Sequence, residues 1–462
     1  MRRFEDVLTQ HPVKTFLLDR ISPYRRAIAR AHAEESPLLF ASADELRAVQ
    51  QHRFRRLIAI ARQAPFWRRV IDGFGKSPHQ FTLDDLPAFP FLTKDLLLEK
   101  PHELRIPNAR GVYENYSGGS TGIPIRFYQD WTYKVHMSVS TRLCNEMAGA
   151  FPGARLAKLW GAPQDKRQIE GAAGRLKLWL LNHRYYDTFD MGEERMLGYH
   201  RAMEAFQPDL ILAYASSLHL LARFLESRGI RPSYPRVAIV SAAERLFPQQ
   251  RSEIEAVFPA RVFNRYGSRE ISAMAAECKE HAGMHITAAS HIVETIDPVT
   301  KQRAQGEAGE LVITVLHNHA MPFIRYRIGD MGTLDDSPCR CGRTAPKLTE
   351  VHGRTSDNFL MPNGRVVHGE YFTHMFYGRP GVRQFQFVQE AQNDFTLHIV
   401  PAPGYTPDLA RAFEAETREM IGPAARFRIE LRDEIPVAKS GKYRFTVSNV
   451  KLDAVLAQKR EA

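Results

Sequence analysis

The fold class is indicated between Asp209 and Val240, where two kinds of apolar pattern alternate. Asp209-Leu-Ile-Leu-Ala-Tyr214 and Arg236-Val-Ala-Ile-Val240 are short, unbroken apolar runs that are typical of buried strands. Between them, Leu218 to Arg228 has helical spacing, and another helix is predicted to begin after Pro248. Strand followed by helix, repeated, favours parallel strand pairing in an α/β layered fold.

Further segments complete the outline on both sides of this stretch. Residues 1 to about 60 have apolar positions at helical spacing and predict a helical appendage. Later strands are predicted at 311–316, 323–327, 384–388, 395–400 and 426–432, with a helix near 408–421. We therefore predict an α/β protein. It has a large layered N-terminal domain at 1–353, with mixed, partly parallel sheets, and a small α+β C-terminal domain at 354–462.

Composition excludes several classes of protein. The 462 residues carry a net charge of +11, and six arginines fall between Arg53 and Arg69. A solvated helix face is the simpler interpretation of that basic stretch, and no DNA- or RNA-binding signature accompanies it. No run approaches the ~18 apolar residues of a membrane span, so we expect a cytoplasmic protein. The four cysteines are too few for a disulfide framework and are expected to be reduced.

The Gly-rich segment Tyr116-Ser-Gly-Gly-Ser-Thr-Gly-Ile-Pro124 carries the first chemical signal. Glycines let the backbone approach anionic oxygens closely, and the N–H groups and hydroxyls can then bind phosphate. Taken alone, such a segment is more often an ordinary turn, and the Walker spacing is absent.

Four later motifs follow it in a fixed order. They are Ser241-Ala-Ala-Glu244, Asn264-Arg-Tyr-Gly-Ser-Arg-Glu270, Pro322-Phe-Ile-Arg-Tyr-Arg-Ile-Gly-Asp330 with Gly353-Arg354, and Ser440-Gly-Lys442. In this order, the five motifs resemble the phenylacetate-CoA ligase-like branch of the adenylate-forming superfamily. The subgroup associated with polysaccharide biosynthesis is the nearest part of that branch.

The resemblance implies a nucleotide site for ATP and Mg²⁺. The phosphate loop would contribute Ser117, Gly118, Gly119, Ser120, Thr121 and Gly122. Ala243 and Glu244 would form the turn against adenine, and Tyr266, with Gly267 and Ser268, would stack on it. Glu270 would bind the magnesium ion, Asp330 the ribose hydroxyls, and Arg354 the ribose or phosphates.

Lys442 carries the predicted catalytic role. A carboxylate that attacks the α-phosphate brings two anions together, and an ammonium between them stabilises the charge of the transition state. Lys439 is the neighbouring alternative, and only the family spacing favours Lys442. The resemblance also implies that the C-terminal domain is a mobile lid.

The same resemblance implies an acyl pocket formed by Trp160, Gly161, Tyr214, Ser216 and Ser241. Its aromatic lining suggests an apolar or aromatic acid. A structural zinc site is implied by Cys339-Arg-Cys341 together with Cys278 and a histidine. We predict His281 rather than His285, because Met284-His-Ile286 is typical of a strand. Four unmetallated side chains remain the alternative.

Two departures from the family leave the acceptor open. Ile123 stands where a loop lysine is common, and Ser356 replaces the first acidic residue of the hinge. CoA is the default acceptor. An amine, a hydroxyl in cell-surface polysaccharide or natural-product assembly, or a carrier thiol is the alternative. A second alternative is a non-catalytic protein that binds nucleic acid or a membrane surface. The oligomeric state, a homodimer included, is left open.

Overall fold

The computed structural model describes residues 21–117, 125–161, 171–188, 191–297, 300–304, 306–354, 358–363, 366–368, 370–376, 378–436 and 443–450. The chain divides into two compact units, Met1–Ile328 with Gly332–Val351, and Gly329–Met331 with His352–Ala462. The predicted boundary at residues 353/354 stays a prediction. Within the described ranges, no helix is both long and apolar enough to cross a membrane.

The first unit consists of a large sheet, a separate hairpin and helices. Its helices are α1 (Pro23–Glu35), α2 (Ala43–Ala61), α3 (Pro65–Gly73), α4 (Lys94–Glu99), α5 (Pro101–Leu104), α6 (Trp131–Met147), α7 (Gly171–Leu180), α8 (Glu193–Phe206), α9 (Ala215–Ser227) and α10 (Pro248–Val257). Its strands are β1 (Tyr113–Tyr116), β2 (Arg126–Gln129), β3 (Leu156–Trp160), β4 (His183–Asp187), β5 (Leu210–Ala213), β6 (Ala238–Ala242), β7 (Val262–Ser268), β8 (Ser272–Glu277), β9 (Met284–Ile286), β10 (His291–Ile296), β11 (Gly309–Val315), β12 (Tyr326–Asp335) and β13 (Lys347–Arg354).

The large sheet has eleven strands in the order β10-β11-β12-β13-β9-β8-β7-β6-β5-β3-β4. From β4 to β7 the pairing is parallel, and from β7 to β9 it is antiparallel. Strands β5 and β6 are buried at every position, which is why they appear in the sequence as unbroken apolar runs. The predicted α/β fold class is confirmed.

The two faces of the parallel strands belong to different hydrophobic clusters. Ile211 and Ile239 pack with residues of α8, α9 and α10, whereas Leu212 and Val240 pack with Ala148, just after α6. Because side chains alternate along a strand, every position of β3, β5, β6 and β7 can be assigned to one face or the other.

The second unit carries the smaller predicted fold. Its elements are β14 (Asn358–Leu360), β15 (Val366–His368), α11 (Glu370–Phe376), β16 (Val382–Ala391), β17 (Asp394–Pro401), α12 (Pro407–Ile421), β18 (Arg426–Leu431) and β19 (Thr446–Ser448). Four strands form a sheet in the order β18-β17-β16-β19. Phe385, Phe387, Leu397 and Phe413 pack in its core.

The predicted helical segment at 1–60 yields α1 and α2 in its described part, and α2 packs into the main core through Phe54 and Leu57. One arginine of the basic stretch is not on a solvated face. Arg53 Nη1 lies 2.9 Å from Oε1 of the buried Glu35, and His136 Nδ1 lies 2.7 Å from the same oxygen. Burial alone would raise the pKa of Glu35, but the His136 hydrogen bond and the Arg53 charge lower it.

A second buried ion pair fixes the Pro-rich segment before the phosphate loop. Arg325 Nε and Nη2 each donate to a carboxylate oxygen of Glu294 at 3.1 Å. Arg325 Nη1 donates to the carbonyl oxygen of Phe89 at 3.0 Å, and the guanidinium lies 4.3 Å from the ring centroid of Phe91. One side chain therefore holds residues 89–91 against the end of the sheet.

Candidate active site

Four predicted segments converge at the carboxyl edge of the parallel strands, namely 160–161, 214–216, 241–244 and 264–270. In the strand register, Leu159 of β3 lies opposite Ala213 of β5, Ala213 opposite Ser241 of β6, and Ser241 opposite Asn264 of β7. Each of these four segments begins at or just beyond this line. Ligands of open α/β sheets bind at this edge, because the loops that follow the strands meet there.

The predicted acyl-pocket residues divide between the two faces of the sheet. The rings of Trp160 and Tyr214 are 4.2 Å apart, and Trp160 packs against the cluster that contains Val240 and Ala242. Ser241 lies between those two and therefore faces the opposite side. Ser241 is fully buried, and its hydroxyl has no partner among the described residues. Gly161 is buried at the end of a described range.

The predicted adenine turn has unusual backbone geometry. Ala243 has φ of 68°, a left-handed conformation that is uncommon outside glycine and often marks functional sites. Next to it, Glu244 Oε2 accepts a hydrogen bond at 2.9 Å from the backbone N–H of Ser216, in the first turn of α9. Such N–H groups lack a partner within the helix, and a carboxylate also suits the helix dipole. Ser216 thus contacts the turn through its backbone.

The hairpin of β7 and β8 carries Tyr266 and leads to Glu270. Gly267 is packed so closely that an added Cβ would lie 2.1 Å from the carbonyl oxygen of Ser272, so no side chain fits there. Tyr266, Gly267 and Ser268 are half-buried, whereas Glu270 is buried. The Glu270 N–H donates to Ser268 Oγ at 3.3 Å.

Two residues that the sequence analysis missed hold this hairpin. Gln129 Nε2 donates to the carbonyl oxygen of Arg269 at 3.0 Å, and Tyr133 Oη donates to that of Glu270 at 3.1 Å. Burial raises the pKa of Tyr133, which therefore keeps the proton that it donates. Both residues follow the phosphate loop within ten positions, but no motif marked them, because their contacts lie more than 130 residues away.

The phosphate loop itself, Gly118, Gly119, Ser120, Thr121 and Gly122, lies outside the described residues, but its base is described. The Ser117 N–H donates to the carbonyl oxygen of Ile125 at 2.9 Å, and the Ile125 N–H donates to Ser117 Oγ at 2.9 Å. These two bonds join Ser117 to Ile125 at the end of the β1–β2 hairpin.

Three other predicted residues belong to the second compact unit, which also includes the middle of β12 and the end of β13. Asp330 is a half-buried residue of β12, and Arg354 ends β13. The side chain of Arg354 and the whole of Lys442 lie outside the described residues. Their assigned roles stay predictions.

Four side chains form a candidate metal centre in the first unit. The ligand atoms of Cys278, His285, Cys339 and Cys341 all lie within 4.8 Å of one another. The sulfurs of Cys278 and Cys339 are 3.8 Å apart, and Cys341 Sγ lies 3.4 Å from His285 Nε2. A tetrahedral zinc ion with ordinary bond lengths would separate two sulfurs by about 3.8 Å and a sulfur from a nitrogen by about 3.5 Å. The donor set therefore fits zinc.

The choice of His281 for this cluster was wrong. His281 Nδ1 lies 3.0 Å from Glu277 Oε2 and 2.8 Å from Arg251 Nη1, and His285 takes its place beside the cysteines. Met284-His-Ile286 is indeed strand β9, as predicted. Residues on either side of a strand position face the other way, so His285 is free to face the cysteines while Met284 and Ile286 pack in the core.

A second group of metal-type ligands, Glu35, His136 and His317, already has a cation. Arg53 Nη1 lies 2.9 Å from Glu35 Oε1 and 3.0 Å from His317 Nε2. A positive group therefore occupies the position that a metal ion would need, and this group is an ion-pair network of the core.

Comparison with known proteins decides the family. The chain is 31% identical to a phenylacetate-coenzyme A ligase of Thermus thermophilus over 330 residues, which cover 69% of this chain and 72% of that protein. It belongs to the phenylacetate-CoA ligase family. The family and the adenylate-forming class of acid ligase predicted from the five motifs are thereby confirmed.

Two further matches refine the place of the chain within the phenylacetate-CoA ligase family. Protein CapK of Staphylococcus aureus is 24% identical over 419 residues, covering 88% of this chain and 90% of that protein. Residues 359–449 match the family model of the CapK C-terminal domain, in agreement with the predicted subgroup.

In fold, the chain resembles a 2-hydroxyisobutyryl-CoA ligase in complex with an acyl-AMP. The TM-score is 0.70 at 18% identity, covering 91% of this chain and 93% of that one.

Proposed function

We propose that this protein is an ATP- and Mg²⁺-dependent ligase that activates a carboxylic acid in two steps. A carboxylate oxygen attacks the α-phosphorus of ATP, the bond to the β-phosphate oxygen breaks, and acyl-AMP and pyrophosphate form. An acceptor nucleophile then attacks the acyl carbon, and AMP leaves. The convergence of the Trp160–Tyr214 pair, the turn at Ala243 and the Tyr266 hairpin on one sheet edge carries this proposal.

The residues of this edge suit the first step. The left-handed turn at Ala243 and the ring of Tyr266 would hold adenine. Glu270 would hold Mg²⁺, which neutralises phosphate oxygens when bound. The contacts of Gln129 and Tyr133 with residues 269 and 270 fix the backbone from which the Glu270 carboxylate projects. Asp330, Arg354 and the phosphate loop keep the roles given by the resemblance, and Lys442 stabilises the transition state.

CoA is the proposed acceptor, and the names of the phenylacetate-coenzyme A ligases support it. The match of residues 359–449 to the CapK C-terminal domain favours the alternative, an amine or hydroxyl in cell-surface polysaccharide or natural-product assembly. The nucleic-acid-binding alternative loses support from the basic stretch. Arg62 and Arg69 of that stretch pair with Asp72 and Glu103 of the same chain. With ATP as co-substrate, we place the activity in the cytoplasm.

Pyrophosphate release tests the activity. We expect the purified protein, with Mg·ATP, to release pyrophosphate in the presence of one class of acid from a panel of aromatic, fatty and hydroxy acids. Hydroxylamine traps the acyl-adenylate as a hydroxamate. When the assay is repeated with CoA in place of hydroxylamine, an acyl-CoA product, identified by its mass, would show that CoA is the acceptor. Protein that binds ATP yet releases no pyrophosphate with any acid would contradict the proposal.

We also propose that Cys278, His285, Cys339 and Cys341 hold a structural Zn²⁺ ion. Four protein ligands leave no open position for a substrate, so the ion would stabilise the fold and not react. It would join β8 and β9 to the turn between β12 and β13.

Metal analysis checks this assignment. We expect about one zinc per chain in protein purified without chelator, and a markedly lower content, with a lower melting temperature, for Cys341→Ser. Cys144→Ser is the matched control, because Cys144 is a buried cysteine outside the cluster. Equal zinc in both variants would contradict the site.

A further inference from the structure

One row of side chains crosses the parallel strands on the face that carries the Trp160–Tyr214 pair. Ala242 of β6 and Arg265 of β7 are register partners, and Trp160 packs against the cluster of Ala242. Arg265 also lies on this face, because its guanidinium contacts Asn145 of α6, next to Ala148 of the same cluster. From one strand to the next, the row reads Trp160, Tyr214, Ala242, Arg265.

Arg265 is a half-buried cation without a counter-ion among the residues that the structure describes. Its one acceptor there is the neutral amide oxygen of Asn145, at 2.9 Å from Nη1. The thiol of Cys144 is nearby, but burial raises its pKa to about 12, so the thiol carries no charge near neutral pH. Protein charges that lose water are normally paired with an opposite charge.

The end of helix α6 offsets only part of the free energy that is lost when the Arg265 guanidinium is removed from water. Asn145 lies in the last turn of α6, where the helix dipole is negative. That interaction is weak compared with the desolvation of a guanidinium. A bound anion would supply the negative charge that Arg265 needs as a counter-ion. Guanidinium groups pair with carboxylates through two parallel N–H···O bonds.

We infer that Arg265 binds the carboxylate of the substrate acid and that the Trp160–Tyr214 pair receives its body. The inference rests on the proposed function. Arg265 is on β7, the strand that also carries Tyr266, the proposed adenine-stacking residue, so a carboxylate on Arg265 would lie at the β7 end of the row. Tyr214 and Arg265 are two strands apart, roughly 10 Å, and Ala242 is the residue of the row on the strand between them. An aromatic ring on a short linker spans that distance.

Arg265→Met tests this role. We expect the KM for the acid to be about 10- to 100-fold higher in the variant, because this is the usual effect of losing one hydrogen bond to a charged group. The KM for ATP should change by less than about twofold. An acyl-sulfamoyl-adenosine, which mimics the adenylate and has no free carboxylate, should bind to Arg265→Met as tightly as to the unaltered protein. The KM of Arg265→Lys for the acid should lie between the values for Arg265→Met and the unaltered protein. Arg261→Met is the control, because Arg261 is an exposed arginine directly before β7.

The other outcomes are distinct. A higher KM for ATP with an unchanged KM for the acid would put the guanidinium on phosphate and overturn the inference. Equal weakening of the acid and of the sulfamoyl analogue would reduce Arg265 to a structural role. If Arg265→Met uses the acid with the same KM as the unaltered protein, the inference is overturned, and the proposed function still stands. Unaltered protein that uses no acid would end both.

Discussion

Replacement of Lys442 by alanine is expected to lower acid-dependent pyrophosphate release by about 100- to 1000-fold, the usual effect of removing one preorganised charge-stabilising group. The physical reason is the approach of two anions, the carboxylate and the α-phosphate, which an ammonium group offsets as charge builds up. ATP binding, measured separately, should be little changed, because the effect arises in the transition state.

Lys439→Ala is the matched control, since the two lysines are three residues apart in one segment. It should retain release within about threefold of the unaltered protein. If Lys439→Ala loses the activity while Lys442→Ala keeps it, the assignment of the catalytic lysine from the family spacing is wrong.

Replacement of Arg325 by methionine should destabilise the first compact unit by about 3–5 kcal/mol, the typical cost of removing one partner from a buried ion pair. The side chains of Arg325 and Glu294 are 5% and 9% exposed, so the remaining carboxylate would be left in the core without its cation. The carbonyl oxygen of Phe89 would also lose its donor. All four tryptophans belong to this unit, so urea unfolding followed by tryptophan fluorescence reports on it.

The double variant Arg325→Met/Glu294→Met isolates the cause. It removes the unpaired charge, and its free energy of unfolding should be closer to that of the unaltered protein than the value for Arg325→Met alone. A double variant that is less stable than the single one would show that packing around residues 89–91, and not the stranded carboxylate, causes the loss.

The sequence predicted the parts of the fold that depend on local pattern. Strands β5 and β6 and helix α12 appear where their apolar periodicity indicated, because each buries a continuous face. The strand at 323–327 was misplaced. Strand β12 begins only at Tyr326, because Arg325 has φ of 49° and turns toward Glu294.

The contacts of the site were harder to foresee. Gln129 and Tyr133 act on peptides far along the chain, and nothing in their own neighbourhood indicates that partner. The zinc-type cluster shows the same limit. The family resemblance implies its three cysteines, but the choice between His281 and His285 depends on which face of β9 meets the turn at Cys339, and only the packing determines that.

The contacts of Gln129 and Tyr133 also set the lengths that natural insertions and deletions can take. From Ile125 to Tyr133 the chain is fixed at both ends, by the bonds to Ser117 and by the bonds to residues 269 and 270. One extra residue in β2 would turn Gln129 to the other side of the hairpin and rotate the start of α6. Relatives should therefore vary in length within 118–124 but keep nine residues from the position of Ile125 to that of Tyr133.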